Sequence, residues 1–354
     1  MMPINKRLKR ELKKNFAKYF FIGLVLFMGI TIISAFFTAT DGIMSTIESQ
    51  QSDCNIEDAN VTLVSQLSDD NISRLHEIGI NDLEDTSYCD VTALDDSDYT
   101  MRVFRVRDSV DKLSLIEGEL PANDKQIVLE SKTASAKDLS VGDEIDVDGK
   151  NYTLSGIVAV VDYNNVLQTV SSGVSNLKTF GLGFVSKQAF DGLDSAKMTI
   201  QYSLTAEDEQ SIDDAYNYLM DEEIAVNILK QSDNPRIKSI SDKTNTLKAE
   251  VTLISVVFVL LMVFIFYAMT SASVEKDSNL IGTFFSMGYT RWEIIQHYVR
   301  LPLIITLIGS VLGMITGSLL FAEPIGKITY STYSLPTFSG KVNLYLIIMC
   351  CVIP

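Results

Sequence analysis

The chain has 354 residues, a formal net charge of −16 and a mean hydropathy of +0.18, with 47% hydrophobic residues. That hydrophobic content excludes a disordered polyanion, the shortage of Lys and Arg excludes nucleic acid as a partner, and four cysteines in this length exclude a disulfide scaffold. Acidity and positive hydropathy together mean that the two properties occupy different segments.

Residues 1–18 carry Lys6, Arg7, Lys9, Arg10, Lys13, Lys14 and Lys18 against one acid, Glu11. Ile4, Leu8, Leu12, Phe16 and Phe20 recur every fourth residue, which predicts a basic amphipathic helix lying in the lipid headgroup layer on the cytoplasmic side. Residues 19–40 then run 22 positions without a charge. At about 1.5 Å per residue, such a helix spans the ~30 Å hydrocarbon core. The run is longer than a signal-peptide core and lacks a small-residue cleavage site before Asp41, so it reads as an uncleaved first span. The basic flank places the N-terminus in the cytoplasm, across the cell membrane from residues 41–248. Those residues hold 39 acids and 17 bases, and the remainder of the chain holds 6 acids and 12 bases.

Within 41–248, Asn60–Gln66 reads as a strand, Ser68 as the cap of a helix that runs through Ile78 and ends at Gly79, and Tyr99–Val106 as a second strand. Glu144, Asp146 and Asp148 alternate with Ile145 and Val147. The twelfth position from Glu144 is Ser155, where a calcium loop needs a carboxylate. The pattern is that of a strand with one wet face, an Asp148-Gly149 hairpin turn and a return strand Tyr152–Val158. Residues 171–183 (SSGVSNLKTFGLG) are rich in Gly and Ser and read as a mobile loop. Lys197–Leu204 reads as a strand, Thr205 with Asp208 resembles a capping box for a helix ending near Met220, and Glu223–Lys230 reads as a strand. The segment is an α+β domain large enough for its own core. Cys54 and Cys89 lie on the same side of the membrane, which leaves a bridge between them open.

Residues 249–274 form the second span, with 24 charge-free positions from Val251. Residues 275–300 are too polar to span and too short for a domain, so they read as a cytoplasmic loop. There Gly288 suits the end of one helix, and Thr290 with Glu293 suits the start of the next. The apolar residues Leu280, Ile281, Phe284, Phe285 and Met287 need lipid or another protein to cover them. Residues 301–322 form the third span, where Gly309, Gly313 and Gly317 make a small-residue face for helix packing, within the chain or across a dimer. Residues 323–340 are expected to be an extracellular loop and residues 341–354 the start of a fourth span, as in a piece of a longer protein.

Chemistry is sparse. His76 and His297 fall on opposite sides of the membrane, so they share neither a metal nor a catalytic triad. Neither G-x-x-x-x-G-K-[ST] nor G-x-S-x-G occurs. No catalytic, cofactor or metal site is expected, and the spans carry no charge that would mark an ion path.

Ile281-Gly282, followed by Gly288-Tyr289-Thr290-Arg291 and Glu293-Ile294, resembles the cytoplasmic signature of FtsX-like/MacB-like ABC transporter permeases. Gly118-Glu119-Leu120-Pro121, Gln126-Ile127-Val128-Leu129, Val141-Gly142-Asp143-Glu144-Ile145 and the run from Gly149 to Val158 look like the extracellular core domain of that family. Asn279-Leu280 and Phe284-Phe285-Ser286 depart from its usual Arg-Glu and Leu-Lys/Arg-Ala. The resemblance implies a multi-pass α-helical membrane protein with a large extracellular α+β domain of the MacB-like core type. It implies a permease subunit that is not itself an enzyme. Its partners would be a separate ABC ATP-binding subunit, a second permease subunit or second repeat, and membrane lipid. Coupling to the ATPase would then fall to Leu280, Ile281, Gly282, Phe284, Phe285, Met287, Gly288, Tyr289, Thr290, Arg291 and Glu293. ATP hydrolysis in the partner would move the extracellular domain, for export, extrusion or mechanotransmission. The alternative is a membrane receptor whose extracellular domain senses a ligand.

Overall fold

The structure is a computed structural model that describes residues 12–13, 15–194 and 197–336. The apolar stripe at Ile4 and Leu8 and the start of a fourth span after Lys341 lie outside the described residues. In chain order, α1 (Phe16–Cys54) is followed by β1 (Ala59–Leu63), α2 (Asp69–Ile78), β2 (Ile80–Asp85), β3 (Tyr88–Ala93), β4 (Asp96–Arg105), β5 (Ser114–Gly118) and β6 (Gln126–Glu130). Next come α3 (Ser131–Ala136), β7 (Glu144–Val147), β8 (Lys150–Ala159), β9 (Phe180–Val185), α4 (Lys187–Asp191), β10 (Met198–Ala206), α5 (Glu209–Asp221) and β11 (Ala225–Lys230). The chain then returns to long helices: α6 (Pro235–Lys276), α7 (Ser278–Ser286), α8 (Arg291–Thr316), a π-helical turn Gly317–Phe321, and α9 (Ala322–Tyr330).

Among the described residues three helical stretches are long and apolar enough to cross a membrane: Phe16–Cys54, Pro235–Lys276 and Arg291–Tyr330. Each outruns its charge-free segment. After Asp41, α1 keeps Ile43 and Ile47 one turn apart and fully buried. Before Val251, α6 begins with Pro235 in the first helical turn, where its missing N–H costs nothing. Residues 323–330, expected to be loop, continue the third stretch as helix.

The chain divides into two compact units, one of residues up to Ile43 with Thr244–Ile328, the other of Met44–Lys243 with the described residues from Thr329. In the second unit eleven strands form one mixed sheet in the order β11-β1-β10-β3-β4-β9-β6-β8-β5, with β2 on β10 and β7 joining β3 to β8. Strand β4 runs parallel to β9, and β6 parallel to β8. Helices α2 and α5 cover one end of the sheet around Leu75, Ile212, Ala215 and Leu219. The rest has a core on each face, one around Met101, Ile127, Leu129 and Leu154, the other around Phe104, Phe180, Leu182 and Phe184.

Local signals explain several elements. Ser68 caps α2 through a reciprocal box with Asn71, and Gly79 ends it at φ 109°. The hairpin from β7 to β8 turns on Asp148 and Gly149, both at positive φ. The cap of α5 differs from expectation: Thr205 lies inside β10, and Asp208 alone caps, its carboxylate accepting the Ser211 N–H at 2.8 Å. Cys54 and Cys89 are free and buried, so the open bridge is not made.

The Gly/Ser-rich stretch is the clearest departure. Its last residues, Phe180–Gly183, form the first part of β9, a fully buried central strand. A side chain on Gly181 would collide with the Tyr99 hydroxyl and with Thr133, and one on Gly183 would meet Ile127 at 2.9 Å. These glycines admit neighbouring side chains to the strand and do not loosen the backbone. After α9, the chain hydrogen-bonds to the segment that follows β8. Ser334 Oγ accepts the Val160 N–H at 3.0 Å, Asn164 Nδ2 donates to the Ser334 carbonyl at 2.9 Å, and the Ser334 N–H donates to the Asn164 carbonyl at 2.7 Å.

Gly181→Val should destabilise the α+β unit by about 1–3 kcal/mol through overpacking. Gly173→Val, where an added Cβ meets nothing within 4 Å, should be neutral. Thermal unfolding of the two variants side by side checks this.

Candidate functional site

The segment between α6 and α8 is a helix, a turn and a helix start. Helix α7 presents Leu280, Ile281, Phe284 and Phe285 within its nine residues, and its end is followed by Gly288 at φ +88°, a left-handed conformation that favours glycine. Tyr289 then folds back, its ring meeting Phe284 edge-on at 5.5 Å between centroids. Thr290 caps α8 in a reciprocal box: its N–H and hydroxyl each donate to Glu293 Oε2 at 2.9 Å, and the Glu293 N–H donates to Thr290 Oγ1 at 3.4 Å. The Thr290 backbone and hydroxyl donors hold the Glu293 carboxyl below its ordinary pKa. A further tie comes from Tyr298, whose hydroxyl donates to Asp277 Oδ2 at 3.0 Å and so links the start of α7 to the second turn of α8.

The result is an apolar groove of about 320 Å³ lined by Val274, Ile281, Phe285, Ile294, Ile295 and Tyr298, with Arg291 at its edge. Around it Phe285, Met287 and Trp292 are 46%, 59% and 66% exposed. Gly282 and Gly288 have open space where a Cβ would stand. Of the residues singled out in the sequence, Leu280, Ile281, Phe284, Tyr289 and Glu293 are half-buried, and Gly282, Phe285, Met287, Gly288, Thr290 and Arg291 are exposed. Trp292 and the pair Asp277–Tyr298 were not among them. Trp292 is the single tryptophan of the chain, and a lone aromatic beside a cap carries no periodic signal. The Asp277–Tyr298 bond joins residues 21 apart and is visible only once the segment is folded.

The glycine face of α8 packs within the chain. A Cβ on Gly309 would meet Leu26 at 2.6 Å, one on Gly313 the Phe27 carbonyl at 2.8 Å, and one on Gly317 would collide with Ser34 and the Thr31 carbonyl. Thr38 and Ser318 add a hydroxyl–hydroxyl bond at 3.0 Å along the same seam of α1. Among the described residues no cluster of His, Cys, Asp and Glu is arranged to hold a metal.

Residues 252–353, which include this helix–turn–helix and the glycine face, match the family model for the FtsX-like permease C-terminal domain. No curated protein matches the chain. Among solved structures, the extracellular domain of the noncanonic ABC-type transporter YknZ from Gram-positive bacteria aligns at 12% identity and a TM-score of 0.31, over 48% of this chain and 100% of that one. A domain of a protein described as a permease, from Porphyromonas gingivalis, aligns at 11% identity and a TM-score of 0.28, over 48% of this chain and 84% of that one.

Within the matched stretch, Thr290→Ala removes the cap and should cost the first turn of α8 about 1 kcal/mol. Tyr298→Phe deletes the tie to Asp277 and should cost a similar amount, about 0.5–1.5 kcal/mol. Faster amide hydrogen exchange across residues 286–294 in each variant, with unchanged exchange in α1, is the expected readout.

Proposed function

We propose that the chain is the membrane-spanning subunit of an ABC transporter, that its ATPase is a separate subunit, and that residues 280–293 dock on that subunit. The observation that carries this reading is the exposed apolar turn inside an FtsX-like permease domain. Phe285, Met287 and Trp292 stand out from a rigidly capped frame, and a rigid frame with aromatic and methionine side chains suits a protein contact. The chain has no phosphate-cradling loop of its own, which agrees with a nucleotide site in the partner.

On this reading the subunit lies in the cell membrane with its N-terminus and the helix–turn–helix in the cytoplasm, as the basic residues 6–18 favour. The acidic 41–248 segment is then outside, away from the anionic inner leaflet. Nucleotide-driven movement of the docking segment would pass along α1 and α6, each of which contributes residues to both units. The output would be motion of the α+β unit, for extrusion or mechanotransmission, in an assembly with a second permease subunit or repeat.

The test is co-purification. Full-length tagged protein in detergent should retain an ATP-binding subunit from its own cells, more strongly with a non-hydrolysed nucleotide. The double variant Met287→Glu/Trp292→Glu, which changes two exposed side chains, should insert normally and weaken that retention by about tenfold, or ~1.4 kcal/mol. Failure of the unaltered protein to retain any ATPase after cross-linking would exclude the permease role. Equal retention by the variant would move the docking site elsewhere.

A further inference from the structure

Four ionisable side chains meet in the interior of the α+β unit. Glu57, Asp111, Asp162 and Arg107 are each 5% exposed or less. Arg107 Nη1 donates to Asp162 Oδ1 at 2.6 Å, and its guanidinium lies over the rings of Phe104 and Phe184. Glu57 follows the end of α1, and its carboxylate receives three donors: Asn60 at 2.7 Å, Ser203 at 2.6 Å and Asn234 at 3.3 Å. Asn234 immediately precedes α6. Asp111 Oδ1 accepts the Glu57 N–H at 2.9 Å, while the Asp111 N–H donates to the Asn55 carbonyl and the Lys112 N–H to the Cys54 carbonyl. The end of α1, the start of α6 and two strands of the sheet are therefore tied through this one group.

The charges do not balance. Three carboxyls share a single buried guanidinium, and an unpaired buried charge is among the costliest arrangements a protein interior can hold. The hydrogen bonds leave Asp111 as the least supported of the three carboxyls, and Nε and Nη2 of Arg107 also lack a partner among the described residues. Glu57 has a full set of donors, and Asp162 has the guanidinium. Asp111 Oδ2 has no partner among the described residues. The charged and titratable groups around Asp111 are Glu57 after α1, Cys54 at its end, Arg107 and Lys112 on its own loop, and Asp162 beyond β8. Arg236 of α6 is directed elsewhere, to the carbonyls of Leu167 and Gln168.

We propose that this cluster is a proton-operated joint: a proton on Asp111 lets the three carboxyls share Arg107, and its loss loosens the hold of the sheet on the ends of α1 and α6. Burial, reinforced by Glu57 and Asp162, pushes the Asp111 carboxyl well above the ordinary carboxylate range, and burial pushes Glu57 up as well. In the unfolded chain Asp111 titrates near its ordinary value, so between that value and the raised one the folded state binds the extra proton. Its contribution to stability is therefore full at low pH and is lost as pH rises through the raised value.

The experiment uses the full chain in detergent. Its infrared spectrum, recorded at a pH above the ordinary carboxylate range, should contain a protonated-carboxyl band that shifts when aspartate, and not glutamate, is labelled with carbon-13. Asp111→Asn should remove that band. Asparagine keeps the Oδ1 acceptor and tolerates the positive φ of 52° at this position. As pH rises through the raised Asp111 value, exchange of the Glu57, Asp111 and Lys112 amides should accelerate about tenfold beyond its intrinsic pH dependence in the wild type, and less than about twofold in Asp111→Asn over the same range. A wild-type spectrum with no protonated carboxyl, or with one that shifts only on glutamate labelling, overturns the proposal even if the variant fails to fold. So does equal acceleration in the two proteins.

Discussion

The close approach of α1 and α8 is the contact on which the helical unit depends. Lipid supplies no hydrophobic force between helices, so they adhere through dense van der Waals packing and through hydrogen bonds that lipid cannot offer. Gly309, Gly313 and Gly317 remove the side chains that would keep the two backbones apart, and Leu26, Phe27, Ile30 and Ser34 of α1 fill that space. Ser34 then reaches the carbonyl of Gly313 at 3.3 Å, a bond that a larger residue there would block. With α8 set against α1, the first turns of α8 and the Thr290 cap have a fixed base. Helix α7 is tied to that base by Tyr298, which leaves Phe285, Met287 and Trp292 facing outward.

The α+β unit is organised by a different balance. Its cores are apolar on both faces of the sheet, yet it also buries charge. Arg102 binds Asp90 through two bonds of 2.8 Å and reaches the Tyr163 hydroxyl at 3.0 Å, so that pair is well satisfied. The Arg107 cluster is not balanced in that way, and a smaller apolar group would be easier to accommodate there. The cluster reaches from the ends of two long helices to the aromatic core, where the Arg107 guanidinium lies over Phe104 and Phe184.

Much of the architecture was legible because it rests on near-neighbour physics. Uninterrupted apolar runs in α1, α6 and α8 have one stable solution in lipid, since only a helix satisfies its own backbone there. The Ser68 cap, the Gly79 stop, the Asp148-Gly149 turn and the Thr290–Glu293 box each involve residues within a turn of one another. What was misread depends on distant residues. Gly181 and Gly183 look like loop glycines until Tyr99, Thr133 and Ile127 are placed beside them. Thr205 lost its expected capping role because β10 extends over it, where its hydroxyl accepts the Asp82 N–H at 3.1 Å.

The sequence by itself determined which segments can enter a membrane, where the turn of the candidate docking segment lies between Gly288 and Thr290, and that most of the acidic residues belong to one segment. These follow from transfer free energy and local backbone geometry, which are properties of short stretches. Only the tertiary structure decided that the glycine face of α8 packs on α1, that Ser334 after α9 hydrogen-bonds to the segment following β8, and that Glu57, Arg107, Asp111 and Asp162 meet. Residues 57 and 162 are far apart in the chain and unremarked in any motif, and the energy of a buried charge depends on what surrounds it in space.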